Sequence, residues 1–148
     1  MEMNPEVEKR IKKVLDSQSI AVLGTSKDGE PYSCLVGFAL TEDMSIAVFA
    51  TMRQRLKYKN MMANPRVTLM IDDRAEQDSD FNDTTSVTIV GSVEDVRGGE
   101  RVKYASLLLA RQPALTEFVN SPDCAVMRVV IDKIYVVSEF ESVVTIGV

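Results

Sequence analysis

The chain has 148 residues, 45% hydrophobic and 26% charged, so it is long enough and apolar enough for one domain with a single core. Its formal net charge of −5 argues against general nucleic-acid binding, because an acidic surface repels a polyanion. It contains no histidine, and its two cysteines, Cys34 and Cys124, lie far apart. These features exclude conventional zinc sites, histidine-ligated haem and Ser-His or Cys-His catalysis. We therefore expect a single domain over residues 1–148 with no metal site.

The sequence also lacks the signals of membrane insertion and export. No apolar run approaches the roughly 20 residues that a membrane-spanning helix needs. The first residues, MEMNPEVEKRIKK, contain no hydrophobic stretch typical of a signal peptide. We therefore expect a cytoplasmic protein that binds neither membranes nor nucleic acid.

Residues 4–18 predict the first element, an amphipathic helix. Asn4 can cap its N-terminus, and Pro5 suits its first turn. The apolar side chains that would share one face are Val7, Ile11, Val14 and Leu15.

Three β-rich segments follow at short spacing, at 19–26, 32–40 and 45–51. The pair Asp28-Gly29 between the first two is a strong turn signal. Strands so close in sequence favour an antiparallel meander, because parallel strands need long crossover connections.

A short helical turn is predicted after the third strand, with Leu56, Asn60 and Met61 on one face. Asn64-Pro65 would end it, since the residue before proline avoids helical geometry. The later elements are a strand at 66–72, a polar loop at 73–86, a strand at 86–96, a helix at 100–111, a shorter helix at 114–120, and strands at 124–132 and 133–140. The pattern predicts a mainly β, α+β protein: an antiparallel barrel with a few surface helices.

Three of these later elements carry finer expectations. Gly91 would form a bulge or a close backbone approach within its strand. The helix at 100–111 would bury Val102, Ala105, Leu108 and Leu109. The loop at 73–86 is long for a compact domain, which makes it a candidate functional or partner-facing segment.

Residues 51–65, TMRQRLKYKNMMANP, carry an unusual concentration of positive charge for an acidic protein. Residues 44–71 hold five basic side chains and no acidic one: Arg53, Arg55, Lys57, Lys59 and Arg66. The stretch joins a strand to a helix start, where free backbone N–H groups and the helix dipole favour an anion. A threonine hydroxyl, an arginine fork and a lysine ammonium suit phosphate oxygens. Spacing alone leaves two interpretations open, a phosphate site and a solvated basic face.

A longer pattern resembles a known family. The run GTSKDGEPYSCLVGFALTEDMSIAVFATMRQRLKYKNMMANPRVTLMIDD, followed by SVTIVGSVEDV, is similar to the pyridoxamine 5′-phosphate oxidase-like FMN-binding split barrels. The features that carry the resemblance are the DGEP turn, the strand ending FAT, the lysine before YKNMMANPRV, and SVTIVGSVEDV itself. The resemblance implies a six-stranded antiparallel split β-barrel that forms a homodimer, with two FMN molecules in clefts between the subunits.

The resemblance also implies roles for individual residues. Thr51 matches the family's threonine near the flavin phosphate, and Lys57 matches its phosphate-binding lysine. Arg55 occupies the place of a phosphate-contacting serine, and Arg53 would compensate for Leu56, which stands where the oxidase has an arginine. The backbone at 34–37 would border the isoalloxazine ring, and Ser86 takes a glutamine position near it. The full predicted cofactor-binding set is Cys34, Leu35, Val36, Gly37, Ala50, Thr51, Arg53, Arg55, Lys57 and Ser86.

Departures from the family narrow the expected chemistry. The C-terminal segment KIYVVSEFESVVTIGV has no tryptophan, and the last arginine is Arg128, so oxidation of pyridoxamine phosphate is not expected. The haem-degrading branch is not expected either, because its histidine ligand is missing. Cys34 is expected to be a small buried hydrophobe rather than a redox thiol. No catalytic side chain is predicted.

We therefore expect an FMN flavoprotein, an oxidoreductase that moves hydride or electrons between the flavin and a small-molecule substrate. Two alternatives stay open from the sequence. One is a non-catalytic flavin carrier or electron-transfer module, and the other is a split barrel that binds a different phosphate ligand.

Overall fold

The computed structural model describes residues 4–74, 84–138 and 142–148, which form one curved antiparallel sheet with helices packed against it. The strands are β1 (Ile20–Lys27), β2 (Glu30–Gly37), β3 (Ala39–Leu40), β4 (Ile46–Met52), β5 (Arg66–Asp72), β6 (Ser86–Val96), β7 (Cys124–Ser138) and β8 (Ser142–Gly147). The helices are α1 (Pro5–Ser17), α2 (Leu56–Ala63), α3 (Gly98–Arg111) and α4 (Thr116–Val119), with a 3-10 turn at Pro113–Leu115. Most of the loop predicted at 73–86 lies outside the described residues.

The sheet runs in the order β2-β1-β5-β6-β7-β4-β3, and β8 pairs with β7. Every pairing of neighbouring strands is antiparallel. The sheet curls so that β2 and β4, far apart in strand order, contact each other. This half-barrel with helices on its surface confirms the expected split-barrel class, although the described sheet has eight strands where six were expected. In the described parts of the chain, no helix is both long and apolar enough to cross a membrane.

Alternation along the strands places the core inside the barrel. On β5, Val67, Leu69 and Ile71 are buried and the residues between them are less so. β1 and β6 show the same period of two, because successive side chains of a strand point to opposite faces. Full burial of one such aliphatic side chain stabilises the fold by about 1.5–3 kcal/mol.

α1 forms as the sequence predicts and closes one side of this core. The Asn4 side chain accepts a hydrogen bond of 2.8 Å from the backbone N–H of Glu6, which caps the helix. Ile11, Val14 and Leu15 are buried against the sheet, as expected. A feature that the sequence did not reveal lies at the other end, where Arg111 of α3 donates hydrogen bonds to the carbonyls of Leu15 and Gln18.

The buried face of α3 differs from the predicted one. Val102 is 67% exposed, so its predicted inward position was wrong, whereas Tyr104 and Leu108 are buried. These two pack against a second apolar cluster that includes Val126. The Arg128 guanidinium lies 5.5 Å from the centroid of the Tyr104 ring, a contact that favours the aromatic side chain inward.

The last strands also differ from expectation. Two strands were predicted at 124–132 and 133–140, but β7 runs without a break from Cys124 to Ser138, and β8 was not predicted. In the structure β7 changes partner near Asp132, from β4 to β8, while β6 pairs along its length. The Asp132 carboxylate is held by Arg66 at 2.8 Å, which offsets the cost of a charge at the junction.

Candidate functional site

A cavity of about 470 Å³ lies where β2 and β4 meet the start of α2 and the segment around α4. Its volume falls within the range of pockets that hold small molecules and cofactors. Its walls are formed by Tyr32, Leu35, Val36, Gly37, Ala50, Thr51, Met52, Arg55, Leu56, Lys57, Leu115 and Phe118. The cavity therefore combines two cationic side chains with a mainly apolar surface.

Most of the predicted cofactor-binding residues line this cavity. They come from three segments of sequence, one on β2, one at the end of β4 and one at the start of α2. The contact between β2 and β4 brings the first two together, and α2 follows β4 after a short turn. The predicted residues in the wall are Leu35, Val36, Gly37, Ala50, Thr51, Arg55 and Lys57.

Two predicted residues, Cys34 and Ser86, do not line the cavity. The side chain of Cys34 packs against the core, with Sγ 4.0 Å from the carbonyl oxygen of Leu23. Burial raises the pKa of this thiol, and the charge of Lys57 only partly opposes that effect. The thiolate is therefore disfavoured at neutral pH. Ser86 is the first residue of β6, where it pairs with Asp72 and Val137.

A third predicted residue, Arg53, does not line the cavity either, because its guanidinium forms an ion pair with Asp95. Its Nε lies 3.1 Å from Oδ2 of Asp95, and a second guanidinium nitrogen lies 3.3 Å from Oδ1. The hydroxyl of Tyr58 donates to Oδ2 of the same carboxylate at 2.8 Å, and Arg97 reaches it at 3.1 Å. The Asp95 side chain is only 8% exposed, so this is a largely buried polar cluster.

Three other basic side chains of the 51–66 segment differ in whether they have an acidic partner. Arg66 forms an ion pair with Asp132 and a hydrogen bond of 2.9 Å to Ser92. Arg55 and Lys57 form no ion pair or side-chain hydrogen bond with any residue that the structure describes. Both line the cavity, so its wall carries positive charge that the described residues leave unneutralised.

The backbone around these two residues also suits an anion. Arg55 is the N-cap residue of α2, with extended backbone geometry, and no side chain caps the helix. The N–H groups of a first helical turn have no partner within the helix, and the helix dipole adds partial positive charge there. Thr51 contributes a hydroxyl that donates to the carbonyl oxygen of Met52 at 3.3 Å.

The part of the cavity wall that comes from the 3-10 turn and α4 was not predicted from the sequence. Leu115 and Phe118 line the cavity, although they lie far along the chain from the basic stretch. Gln112 anchors their segment by donating to the carbonyl oxygens of Ser19 at 2.7 Å and Phe38 at 3.2 Å. A Cβ at Gly37 would lie 3.2 Å from the Gln112 side chain, so the glycine permits this approach. No local pattern signals such a contact.

Comparison with known families agrees with this geometry. The model of the family described as pyridoxamine 5′-phosphate oxidase matches residues 7–138, which is most of the chain. This chain belongs to that family. The resemblance drawn from the DGEP turn and the YKNMMANPRV segment is thereby confirmed. A search of curated protein sequences found no match.

Solved structures of the family's fold are similar over nearly the whole chain. The haem-binding protein from Mycobacterium smegmatis has a TM-score of 0.85 at 18% identity, over 99% of this chain and 60% of that one. A protein related to general stress protein 26 from Clostridium acetobutylicum has a TM-score of 0.75 at 13% identity, over 99% and 97%. An FAD-binding protein from Mesorhizobium loti has a TM-score of 0.70 at 21% identity, over 87% and 90%. Such identities show the fold alone.

The buried carboxylate of Asp95 should make the stability of the fold depend on pH in the acidic range. Burial raises the pKa of Asp95, but hydrogen bonds from Arg53 and Tyr58 and the charges of Arg53 and Arg97 outweigh it, so the pKa lies below its usual value. The carboxylate therefore stabilises the fold above the unfolded-state pKa of about 3.9, and this contribution is lost as pH falls through the folded-state pKa. We expect Asp95→Asn to lower the free energy of unfolding by about 1–2 kcal/mol at pH 7.

Urea denaturation of both proteins at pH 7 and at a series of lower pH values measures this effect. The difference between wild type and Asp95→Asn should shrink as the pH falls below about 4. A difference that stays constant across that range would contradict the assignment of the lowered pKa to Asp95.

Proposed function

We propose that this protein is an FMN-binding oxidoreductase whose cofactor occupies the cavity between β2, β4 and α2. The observation that carries the proposal is that Arg55 and Lys57, which form no ion pair with any described residue, line an otherwise mainly apolar cavity. A flavin mononucleotide has matching parts, a dianionic phosphate and a flat, largely apolar ring. Family membership supports the same reading.

The phosphate is assigned to the start of α2. Arg55 offers a planar fork of N–H donors and Lys57 a mobile ammonium, and both suit phosphate oxygens. The uncapped first turn of α2 adds backbone donors at the same place. Thr51 lies beside them in the wall, where its buried hydroxyl donates to the Met52 carbonyl oxygen. Direct contact from Arg53 is left out of the proposal, because its guanidinium is held by Asp95.

The ring is assigned to the apolar part of the wall. The β2 residues Leu35, Val36 and Gly37 and the distant Leu115 and Phe118 supply that surface. Bound FMN would supply hydride or single-electron transfer, which is chemistry of the cofactor itself. None of the described residues in the wall is an aspartate, glutamate or cysteine. The proposed role of the chain is to bind and orient the ring and to exclude water.

A second copy of the chain is proposed to complete the site. Leu35 is 66% exposed, Leu56 53%, Tyr32 39% and Phe118 37%, and all four belong to the cavity wall. Exposed apolar side chains grouped around a cavity are typical of an interface. A homodimer that shares this surface would cover the mouth of the cavity and bury those side chains. Sedimentation equilibrium should show the dimer.

Haem is a rival cofactor, because the similar protein from Mycobacterium smegmatis is a haem-binding protein. The similar protein from Mesorhizobium loti binds FAD, a flavin. Flavin is favoured here because the chain has no histidine, the commonest axial ligand of haem iron. The electrostatics of Arg55 and Lys57 do not separate the two, since haem propionates are anions too.

The deciding experiment is the visible spectrum of the purified protein, followed by titration of cofactor-free protein with FMN, FAD, riboflavin and haemin. The proposal predicts oxidised-flavin absorption bands, release of FMN identified by mass, and tighter binding of FMN than of riboflavin. A protein that takes up haemin with a Soret band and ignores FMN would overturn it. So would a protein that binds none of the four.

Turnover separates an enzyme from a flavin carrier. The FMN-loaded protein is mixed with NADH or NADPH and a panel of electron acceptors under steady-state conditions. An oxidoreductase should give sustained turnover with at least one pair. Flavin that reacts only slowly with oxygen under every condition would instead indicate a carrier or electron-transfer module.

A further inference from the structure

One carboxylate outside the cavity holds both ends of the segment that carries the cavity's cations. Arg55, Leu56 and Lys57 lie in sequence between Arg53 and Tyr58, and both of these flanking residues bond to Asp95. Asp95 itself does not line the cavity. It lies on β6, 42 residues from Arg53 and 37 from Tyr58 in sequence.

The geometry at Asp95 is that of a clamp. Arg53 uses two nitrogens on its two carboxylate oxygens, at 3.1 and 3.3 Å, and the Tyr58 hydroxyl adds a contact of 2.8 Å. Bidentate, charge-assisted bonds of this kind fix direction as well as distance. With its side chain only 8% exposed, Asp95 is held by its own strand and has little freedom to follow a moving partner.

Two backbone hydrogen bonds lie at the entry to α2. The Arg53 N–H bonds to the carbonyl of Asp123 at 3.0 Å, and the Arg55 N–H bonds to the carbonyl of Met52 at 3.1 Å. These hold the turn before the helix. No side chain caps α2 itself. Among the described residues, the Tyr58–Asp95 bond ties its first turn to β6, and just beyond that turn the Asn60 side chain donates to the Thr25 hydroxyl of β1 at 3.1 Å.

We propose that Asp95 is a positioning residue for the anion site: through Arg53 and Tyr58 it holds Arg55 and Lys57 where they meet the phosphate of the bound cofactor. The inference rests on the proposed function, because it concerns the same cavity. In this role Asp95 does not contact the cofactor, yet it affects the affinity of the site for the phosphate.

This role differs measurably from a general contribution to stability. Displacement of Arg55 and Lys57 should lower the affinity for ligands that have a phosphate and leave the affinity for ligands without one unchanged. FMN and riboflavin differ in that group alone, so the ratio of their dissociation constants reports the anion site. A purely structural role of Asp95 would lower the melting temperature and leave the ratio unchanged.

The experiment compares wild type, Asp95→Asn and the control Asp132→Asn, titrated with FMN and with riboflavin. Asn keeps the shape of the side chain and removes its charge. Asp132→Asn makes the same change of charge at the Arg66 ion pair, away from the cavity wall. We expect Asp95→Asn to raise the dissociation constant of FMN about tenfold, which is the contribution of one hydrogen bond to a charged group. The dissociation constant of riboflavin should not change. The control should change neither.

Two further variants guard against a folding defect in Asp95→Asn. Tyr58→Phe removes the tie to α2 and keeps the Arg53 ion pair, and it should also raise the dissociation constant of FMN selectively. In a Lys57→Ala background, Asp95→Asn should have a clearly smaller effect, because one positioned cation is gone.

The outcomes separate the two proposals. In one outcome, wild type binds FMN and both Asp95→Asn and Tyr58→Phe keep the wild-type ratio of FMN to riboflavin affinity. This result overturns the positioning role and leaves the proposed function standing. Strictly additive effects of Lys57→Ala and Asp95→Asn do the same. Wild type that binds no FMN overturns the proposed function and this inference together.

Discussion

Lys57→Ala is expected to weaken FMN binding about tenfold to a hundredfold, because a hydrogen bond to a charged group contributes about 1.5–3 kcal/mol. Lys57 lines the cavity at the start of α2, and no described residue competes for its ammonium group. It is also the position that the family resemblance matches to a phosphate-binding lysine. Fluorescence quenching of FMN during titration measures the dissociation constant directly.

Lys59→Ala is the matched control for this prediction. Lys59 carries the same charge on the same helix, is exposed, and does not line the cavity. Both variants lower the net charge by one, so a general electrostatic effect would weaken both alike. Selective loss in Lys57→Ala supports a local phosphate contact. Unchanged FMN affinity in Lys57→Ala would remove the phosphate from the start of α2.

Gly91→Ala is expected to lower the free energy of unfolding by about 3 kcal/mol, at the upper end of the usual cost of overpacking. A Cβ at this position would lie 2.3 Å from the carbonyl oxygen of Val130 and 2.8 Å from a methyl carbon of Val129. The first contact is with backbone of the neighbouring strand, which cannot turn aside as a flexible side chain can. Relief would require β6 and β7 to separate at the point where their register already shifts.

Gly99→Ala provides the comparison within the same chain. Gly99 lies in the first turn of α3, and a Cβ there would meet nothing within 4 Å. Alanine also favours helix by about 1 kcal/mol over glycine, so this variant should be neutral or slightly more stable. Urea denaturation followed by circular dichroism measures both variants. A Gly91→Ala protein as stable as wild type would show that the close approach is absent in solution.

Local sequence determined much of the fold. The cap at Asn4 and the buried face of α1 follow from side-chain chemistry and helical spacing, and both were predicted correctly. The Asp28-Gly29 turn has positive φ at both residues, 53° and 80°, as the tight hairpin signal requires. The irregularity at Gly91 was also predicted correctly, because an isolated glycine in a strand often marks a bulge.

The cationic part of the candidate site could be located in the sequence, because its residues lie close together in the chain. Thr51, Arg55 and Lys57 fall within one strand-to-helix connection, and such a connection places its side chains near one another in any fold. They are found together in the cavity wall. Their contact with a flavin phosphate stays a prediction until the titrations are made.

Contacts between distant segments were decided by the tertiary structure alone. Arg53 reads as one more free cation in the sequence, yet the register of β6 places Asp95 beside it. Leu115 and Phe118 lie in the cavity wall, and Gln112 just before them bonds to the distant backbone carbonyls of Ser19 and Phe38. Strand order and register are set by the packing of the whole core at once, and a local pattern holds no record of them. The sequence by itself thus determined the N-cap of α1, the Asp28-Gly29 turn and the cationic connection, while the folded sheet decided which of the cations remain available to a ligand.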